Sequence, residues 1–458
     1  MEHQDVKEKY LSNKRTLLSV PGTLKTDAYV SVYDSSVHLV ELTANLGRYT
    51  SSLSTSQFAG VGQVLIPNND ILGNTFLHLE LPAPEIGGSW MVPQGWGWAA
   101  IKSVSYLWGS SNVSQITLSG KSLWAIAMSQ CDTAEKRSQL CYLGGTLYPV
   151  PTAAGSSGLD DESIGLHAYI PLSLPWSVMC HGGKIGFDTA LINSPITIQV
   201  QFASSDEFMA WGASRTNASP QPNGFKSAEV VVRQQMFTNR AQSLQFEMQD
   251  DPKAVYNYPF THYQSAQFDF TAAASGRDCD VPLTNFINAD LIGMVVYMVE
   301  KDKLVGGSKT NGNDAVKLNP LDITLPSDIK LLFNGQVLFN SPGKLYLLQN
   351  CANLNGSGSY YSTTQKVNID AVSPNIGKIT LSDVLPTVKD LLFIDFSRKH
   401  SPCFEKEYPN TFRIANQVLS LKFNMPSTSL ETKYTLFATY IYNGVNSVQQ
   451  GASNLYFD

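Results

Sequence analysis

Charge is scarce in this sequence. Only 15% of its 458 residues are charged, against about 25% in ordinary soluble proteins. From Val37 to Gln130 the charged side chains are Glu41, Arg48, Asp70, Glu80, Glu85, Lys102 and Lys121 and nothing else. So thin a charged coat is a solubility hazard for a lone chain, but suits one that buries much of its exterior against partners. Basic excess is also lacking, with 32 basic against 38 acidic residues and a net charge of −6. No basic stripe is available to neutralise a phosphate backbone, so direct nucleic-acid binding is not expected.

The residue patterns of familiar chemistry are missing as well. The six cysteines, Cys131, Cys141, Cys180, Cys279, Cys351 and Cys403, form no CxxC pair and no zinc-spaced cluster. They are too sparse for a disulfide framework, which points to buried free thiols in a reducing compartment. The seven histidines, His3, His38, His78, His167, His181, His262 and His400, show no HxH, HExxH or HxxxH spacing, so no metal site is spelled locally. Gly155-Ser156-Ser157-Gly158 lacks the GxSxG frame of a nucleophile elbow. Asp160-Asp161-Glu162 reads as a solvated acidic loop, and no phosphate-cradling glycine loop precedes a helix. No catalytic, cofactor-binding or metal residue is assigned, and no enzyme is expected.

Long apolar runs are absent too. The longest, Leu291 to Val299, is far below the roughly 20 residues of a spanning helix. The start Met1-Glu2-His3-Gln4-Asp5 has no positive region followed by an apolar stretch, so no secretory leader is expected and the chain should be soluble when made. Sequons at Asn112, Asn217 and Asn355 match chance in a chain rich in Asn, Ser and Thr. The basic segment Lys7 to Arg15 either meets an acidic surface, such as a membrane leaflet or a minor protein, or is a solvated tail.

What is present is alternation. Leu77, Leu79 and Leu81 share one face of a strand, with Phe76, His78 and Glu80 on the other. Ile196, Ile198, Val200 and Phe202 alternate with Thr197, Gln199 and Gln201; Ala266, Phe268 and Phe270 with polar neighbours; and Leu419, Leu421 and Phe423 with Ser420, Lys422 and Asn424. Tyr434, Leu436, Ala438, Tyr440 and Tyr442 share another face. This period of two predicts half-buried strands. Turn-rich loops between them (82–97, 149–163, 213–224 and 306–313) predict sandwiches, with 82–97, 149–163 and 306–313 at the surface or between subunits. Asn334-Gly335 between two apolar runs predicts a type I′ hairpin. One stretch departs from alternation: Lys121 to Leu143 carries Leu123, Ile126, Ala127 and Cys131 at helical spacing and stops at Gly144-Gly145, predicting one long or two short inserted helices. All seven tryptophans precede residue 212, so the two halves differ in composition, with a boundary expected between Phe237 and Tyr258.

Several of these stretches, in order, resemble the major capsid proteins of nucleo-cytoplasmic large DNA viruses and their double jelly-roll, adenovirus-like lineage. Ile101 to Tyr106, Gln115-Ile116, Gly120 and Leu123-Trp124 follow that family's run from a strand into an inserted helix. Ala168 to Leu172, with Leu191-Ile192-Asn193, is similar to its "IPLPFWF … LPLIAL" region, and Leu331 to Phe339 to its "LLLNGxxR" hairpin. Phe393 to Ser397 and Asn410 to Ile414 resemble the strands around "NFSRID", and Thr439 to Val445 resembles the closing "YNVLRIMSGMGGL" strand. Leu338 stands where the family usually has Arg, the mark of a divergent member.

The resemblance implies an all-β chain of two tandem eight-stranded antiparallel jelly rolls with short inserted helices. Residues 1–27 would form an N-terminal arm, 28–240 the first roll and 241–458 the second. It implies a homotrimer of pseudo-hexagonal outline that tiles an icosahedral double-stranded DNA virus shell through lateral contacts. Penton and minor capsid proteins, with an internal membrane as a further contact, are the other partners implied, and assembly would take place in the host cytoplasm. No cofactor is implied. The competing expectation is a carbohydrate-binding β-sandwich spike or receptor-binding protein, in which Trp90, Trp96 and Trp98 would stack on sugars.

Overall fold

The computed structural model describes residues 44–66, 68, 71–82, 90–92, 95–108, 114–129, 139–140, 142–145, 166–172, 179–180, 183–184, 187–189, 192–211, 222–237, 256–272, 277–283, 290–300, 327–341, 392–395, 412–413, 419–425, 432–449 and 452–456. In chain order the first half contains β1 (Ala44–Ser52), β2 (Val61–Ile66), β3 (Ile71–Glu80), β4 (Trp90–Met91), α1 (Trp96–Ala99), β5 (Ile101–Trp108), β6 (Ser114–Leu118), α2 (Gly120–Ser129), β7 (His167–Pro171), β8 (Met179–Cys180), β9 (Gly183–Lys184), β10 (Phe187–Asp188), β11 (Ile196–Phe202), α3 (Ser205–Phe208), β12 (Ala210–Trp211) and β13 (Ser227–Phe237). The second half contains β14 (Tyr256–Ala272), β15 (Arg277–Leu283), β16 (Asp290–Glu300), β17 (Ser327–Phe333), β18 (Gln336–Ser341), β19 (Leu392–Asp395), β20 (Phe412–Arg413), β21 (Leu419–Met425), β22 (Thr432–Gln449) and β23 (Ala452–Tyr456).

These strands build two antiparallel sandwiches of the same design. Roll one pairs a large sheet, ordered β1-β13-β3-β10 with β7 also on β3, with a four-stranded sheet ordered β2-β11-β5-β6. Roll two pairs a large sheet, ordered β14-β22-β16-β19 with β20 on β16 and β23 on β22, with a four-stranded sheet ordered β15-β21-β17-β18. Followed along the chain, with β7 and β10 taken as one step, β19 and β20 as one, and the two-stranded sheets β4-β12 and β8-β9 and the added β23 set aside, each roll visits its sheets in the order large, small, large, small, small, large, small, large. That shared itinerary is the jelly roll. It makes β1 the counterpart of β14, β3 of β16, β6 of β18 and β13 of β22.

The alternation read from sequence places the cores. Leu77, Leu79 and Leu81 are buried, as are Ile196, Ile198, Val200 and Phe202 across the sandwich. In roll two Leu419, Leu421, Phe423, Tyr434, Leu436, Ala438, Tyr440 and Tyr442 close the second core, against which Ala266, Phe268 and Phe270 pack. In β3, β11, β14 and β21 the side chains between them stay half-buried or exposed, Lys422 and Asn424 among them, whereas those between the β22 residues, Thr435, Phe437, Thr439 and Ile441, are buried too.

Local signals are equally visible. Asn334 and Gly335 take φ of 50° and 79°, the paired positive angles of a type I′ turn, and join β17 to β18 with Phe333 opposite Gln336. α2 starts where Ser119 Oγ accepts the Ser122 amide at 3.0 Å, an N-cap bond. Further along, the Gly144 amide donates to Leu140 and the Gly145 amide to Tyr142. Gly145 has φ of +92°, and a side chain there would strike the Trp96 ring. The glycine brake is therefore enforced both by backbone angle and by packing.

Candidate functional site: two sheet faces

Each large sheet has an inner face toward its own core and an outer face. The two outer faces are the surfaces on which function can be argued, because they differ in composition and the one in roll two packs against roll one.

In roll two much of the outer face is covered by roll one, with Gln267 and Asp269 of β14 left exposed. Val295, Tyr297 and Val299 of β16, Phe437 and Ile441 of β22, and Tyr263 of β14 all belong to the hydrophobic cluster of roll one. The strand register lines them up in rows: Gln267, Phe437 and Tyr297; Ser265, Thr439 and Val295; Asp269, Thr435 and Val299. Phe437 and Tyr297 stack at 5.0 Å and 9°. Trp124 of α2 meets Tyr297 edge-on at 6.4 Å, and Lys121 holds its ammonium 5.8 Å from the centre of the Phe437 ring. Burial pushes the Lys121 amine down to about 8, with the Glu207 carboxylate pulling the other way.

Hydroxyls carry the polar part of this seam. The Ser119 and Ser122 oxygens lie 2.9 Å apart, and Ser265 donates to Ser122 at 3.0 Å. The cap of α2 is thereby tied to β14 of the other roll. Thr435 and Thr439, fully or nearly fully buried on the same face, satisfy themselves locally: Thr435 donates to Asp269 at 2.7 Å. Buried hydroxyls with partners cost little, whereas an orphaned one would cost about 1–3 kcal/mol.

The outer face of roll one carries a different set. Register places Tyr169, His78 and Glu229 in one row and His167 opposite Glu80 in the next. His78 stacks on Tyr169 at 4.3 Å and 13°, and its Nε2 shares a hydrogen bond of 3.1 Å with His167 Nδ1. Glu229 lies 3.7 Å from His78 Nδ1, and Lys226 pairs with Glu80 at 2.6 Å. Burial and then the neighbouring His167 hold the His78 imidazole below its ordinary value, against the pull of Glu229 and Glu80. These rings are half-buried. They form an amphipathic patch with few free charges.

Other sequence expectations resolve differently. Trp96 and Trp98 lie in α1 with no exposed surface, so the 82–97 stretch is not wholly a displayed loop: its C-terminal end is part of the core of roll one. Two of the three tryptophans proposed to stack on sugars are thus unavailable for it, which removes the main support for the carbohydrate-binding reading. His262 is also buried, in the core of roll two beside Tyr442, and burial holds its imidazole down to about 4. Among the described residues no group of three or more His, Cys, Asp or Glu side chains could hold a metal ion. Among them no helix is long and apolar enough to cross a membrane. Residues 149–163, 306–313, the sequons at Asn112, Asn217 and Asn355, and the segment 1–27 lie outside the described residues.

Sequence reasoning missed both faces. Leu291 to Val299 had been a visible signal, since a strand with apolar residues at successive positions is buried on both sides. His78 and His167, 89 positions apart, carry no such signal.

No protein-family model matches the chain, and no curated protein matches it. Solved structures do. The VP54 crystal structure of PBCV-1, fitted into a reconstruction of the virophage Sputnik, is similar at a TM-score of 0.58 and 10% identity, over 91% of this chain and 98% of that one. The quasi-atomic model of the PBCV-1 virus capsid is similar at 0.57 and 10%, over 91% and 98%. The Faustovirus major capsid protein is similar at 0.53 and 10%, over 98% of both chains.

Proposed function

We propose, starting from the tandem jelly-roll fold that this chain shares with viral capsid proteins, that it is a structural major capsid protein. In this reading three copies form a capsomer of pseudo-hexagonal outline, and capsomers tile an icosahedral shell enclosing double-stranded DNA. The observation that carries the reading is the seam. Two rolls of one design sit in one chain, joined by a contact that runs from the edge and helix of one to the outer sheet face of the other. Such a contact joins unlike surfaces, so it can repeat from roll to roll and generates a ring when the rotation closes. Three chains supply six rolls. The sparse charge favours the same conclusion, because identical neighbours with few charges repel little.

The rolls are taken to divide near residue 240, between β13 and β14, with 1–27 as an arm. Penton and minor capsid proteins are the further partners, an internal membrane is a contact for the basic arm, and assembly takes place in the host cytoplasm before the protein resides in the virion. The role is non-catalytic and needs no cofactor.

Native mass measurement with negative-stain imaging of the purified chain tests the reading. A particle of three times 50.2 kDa with a hexagonal face-on outline is expected. A monomer that binds glycans would replace it with the carbohydrate-binding alternative.

A further inference from the structure

We propose that His78 and His167, on the outer face of the large sheet of roll one, form a binding site for a divalent transition-metal ion of the copper, nickel or zinc kind, with Glu229 as the carboxylate that orients His78. The ion would clasp β13, β3 and β7 together, and the site stands whether or not the capsomer reading holds.

Register brings the two rings together. β3 pairs with β7 so that His78 lies opposite Tyr169 and Glu80 opposite His167. His78 and His167 are therefore diagonal neighbours on one face, about 7–8 Å apart at the backbone, a span that aromatic side chains bridge. Here they do bridge it, with His78 Nε2 and His167 Nδ1 at 3.1 Å. The rings lie 7° from parallel with centroids at 5.4 Å, and Tyr169 stacks on His78 at 4.3 Å, fixing its plane. Imidazole nitrogens bind such an ion at about 2.0–2.1 Å. Nitrogens 3.1 Å apart then subtend about 100° at the ion, between the right angle of a square or octahedral site and the tetrahedral angle.

The rest of the surroundings suits an ion as well. His78 turns its other nitrogen, Nδ1, toward the Glu229 carboxylate at 3.7 Å, from the neighbouring strand β13 in the same row. A carboxylate behind a metal-bound imidazole fixes its tautomer and orientation and raises its basicity. With the His78 proton held on Nδ1, the Nε2 lone pair is left for the ion. His167 presents its Nδ1 lone pair when its own proton sits on Nε2. Exchanging the hydrogen bond of the neutral pair for an ion thus needs a tautomer change in His167 and releases no proton. Charge also favours a cation: Glu80 and Glu229 face the pair, against the one ammonium of Lys226, which is bound to Glu80. Neither ring is fully buried, so water can complete the coordination. Two protein ligands make a weaker site than a closed structural centre, which accords with the absence of any three-ligand group among the described residues. The ligands stand 89 positions apart, so an ion joining them closes a long stretch of chain and stabilises the folded state that binds it.

Calorimetric titration of Zn²⁺, and separately of Cu²⁺, into the full chain without a histidine tag tests the site. The wild-type protein should take up one ion saturably and melt at a higher temperature with the ion than with a chelator. Electron paramagnetic resonance of the Cu²⁺ form should show coupling to two imidazole nitrogens. His78→Ala and His167→Ala should each lose the binding and the shift in melting temperature. Glu229→Gln keeps both ligands and should bind about tenfold more weakly; unchanged affinity there overturns the role given to Glu229. Circular dichroism verifies that each variant is folded, and His167→Gln serves as a milder version should the alanine perturb the sheet. Wild-type protein that binds no ion at one equivalent overturns the site. So do folded variants lacking His78 or His167 that bind as the wild type does.

Discussion

The large sheets of the two rolls have the same strand order and opposite fates. In roll two the β16 run from Leu291 to Val299 is buried on both faces: Leu291, Met294, Val296 and Met298 turn to its own core, and Val295, Tyr297 and Val299 turn to roll one. In roll one, β3 buries Leu77 and Leu79 inward, but its other face carries Phe76, His78 and Glu80, only half-buried. A sheet covered twice needs apolar residues at every position, and a sheet covered once needs them at every second. The composition of the outer face therefore records what the face meets when the chain is alone.

Breaking the covered face should have the largest effect. Trp124 is fully buried where α2 meets Tyr297, and Trp124→Ala should destabilise the chain by about 3–5 kcal/mol. Chemical unfolding would read this directly, and Tyr169→Ala on the half-buried outer face of roll one is the matching control, with less than about 1 kcal/mol expected in the monomer. Equal losses at both positions would erase the distinction between the faces.

Next in size comes a site on neither face. Gly335 has φ of +79° with open space around its Cα hydrogens, so Gly335→Ala adds backbone strain without a clash and should cost about 1–2 kcal/mol. Similar but smaller is Ser265→Ala, which removes the hydroxyl donated to Ser122 across the seam; about 1 kcal/mol is expected. A thermal-unfolding series on both would separate loss of turn geometry from loss of the inter-roll bond.

The smallest effect is a titration. His78 faces His167 and Tyr169 from β7, Glu229 from β13 and Glu80, itself paired to Lys226, on its own strand. Its folded value lies below that of the unfolded chain, because burial and His167 outweigh the carboxylates. The unfolded state therefore binds more protons between the two values, so stability is complete above about pH 6.5 and declines as the pH falls through the folded value. His78→Gln should flatten the corresponding part of the denaturation-midpoint profile. A profile unchanged by that substitution would remove His78 from the account.

Much of this is legible in the sequence alone. Alternation at Leu77 to Leu81, Ile196 to Phe202 and Leu419 to Phe423 gave the inner faces, because a period of two is a local property of one strand. The helix start at Ser119, its glycine brake and the Asn334-Gly335 turn are local as well. The seam was not legible. Tyr297 and Trp124 meet only because sheets distant in sequence come together, and no spacing encodes that. Trp96 and Trp98 misled for a related reason: they sit beside a turn-rich stretch, yet α1 carries them into the core. The histidine pair depends on the register between β3 and β7, which a single sequence does not print.

The central claim is that the chain carries its own roll-to-roll seam, so the outer face of roll two is covered by roll one before any assembly. Hydroxyl-radical footprinting with mass spectrometry, on assembled and dissociated protein side by side, measures this at single side chains. The account predicts that Tyr297 and Phe437 stay protected in both states, while Tyr142, exposed in the chain, reacts in the dissociated protein. Tyr297 or Phe437 reacting in the dissociated chain as readily as Tyr142 would contradict it.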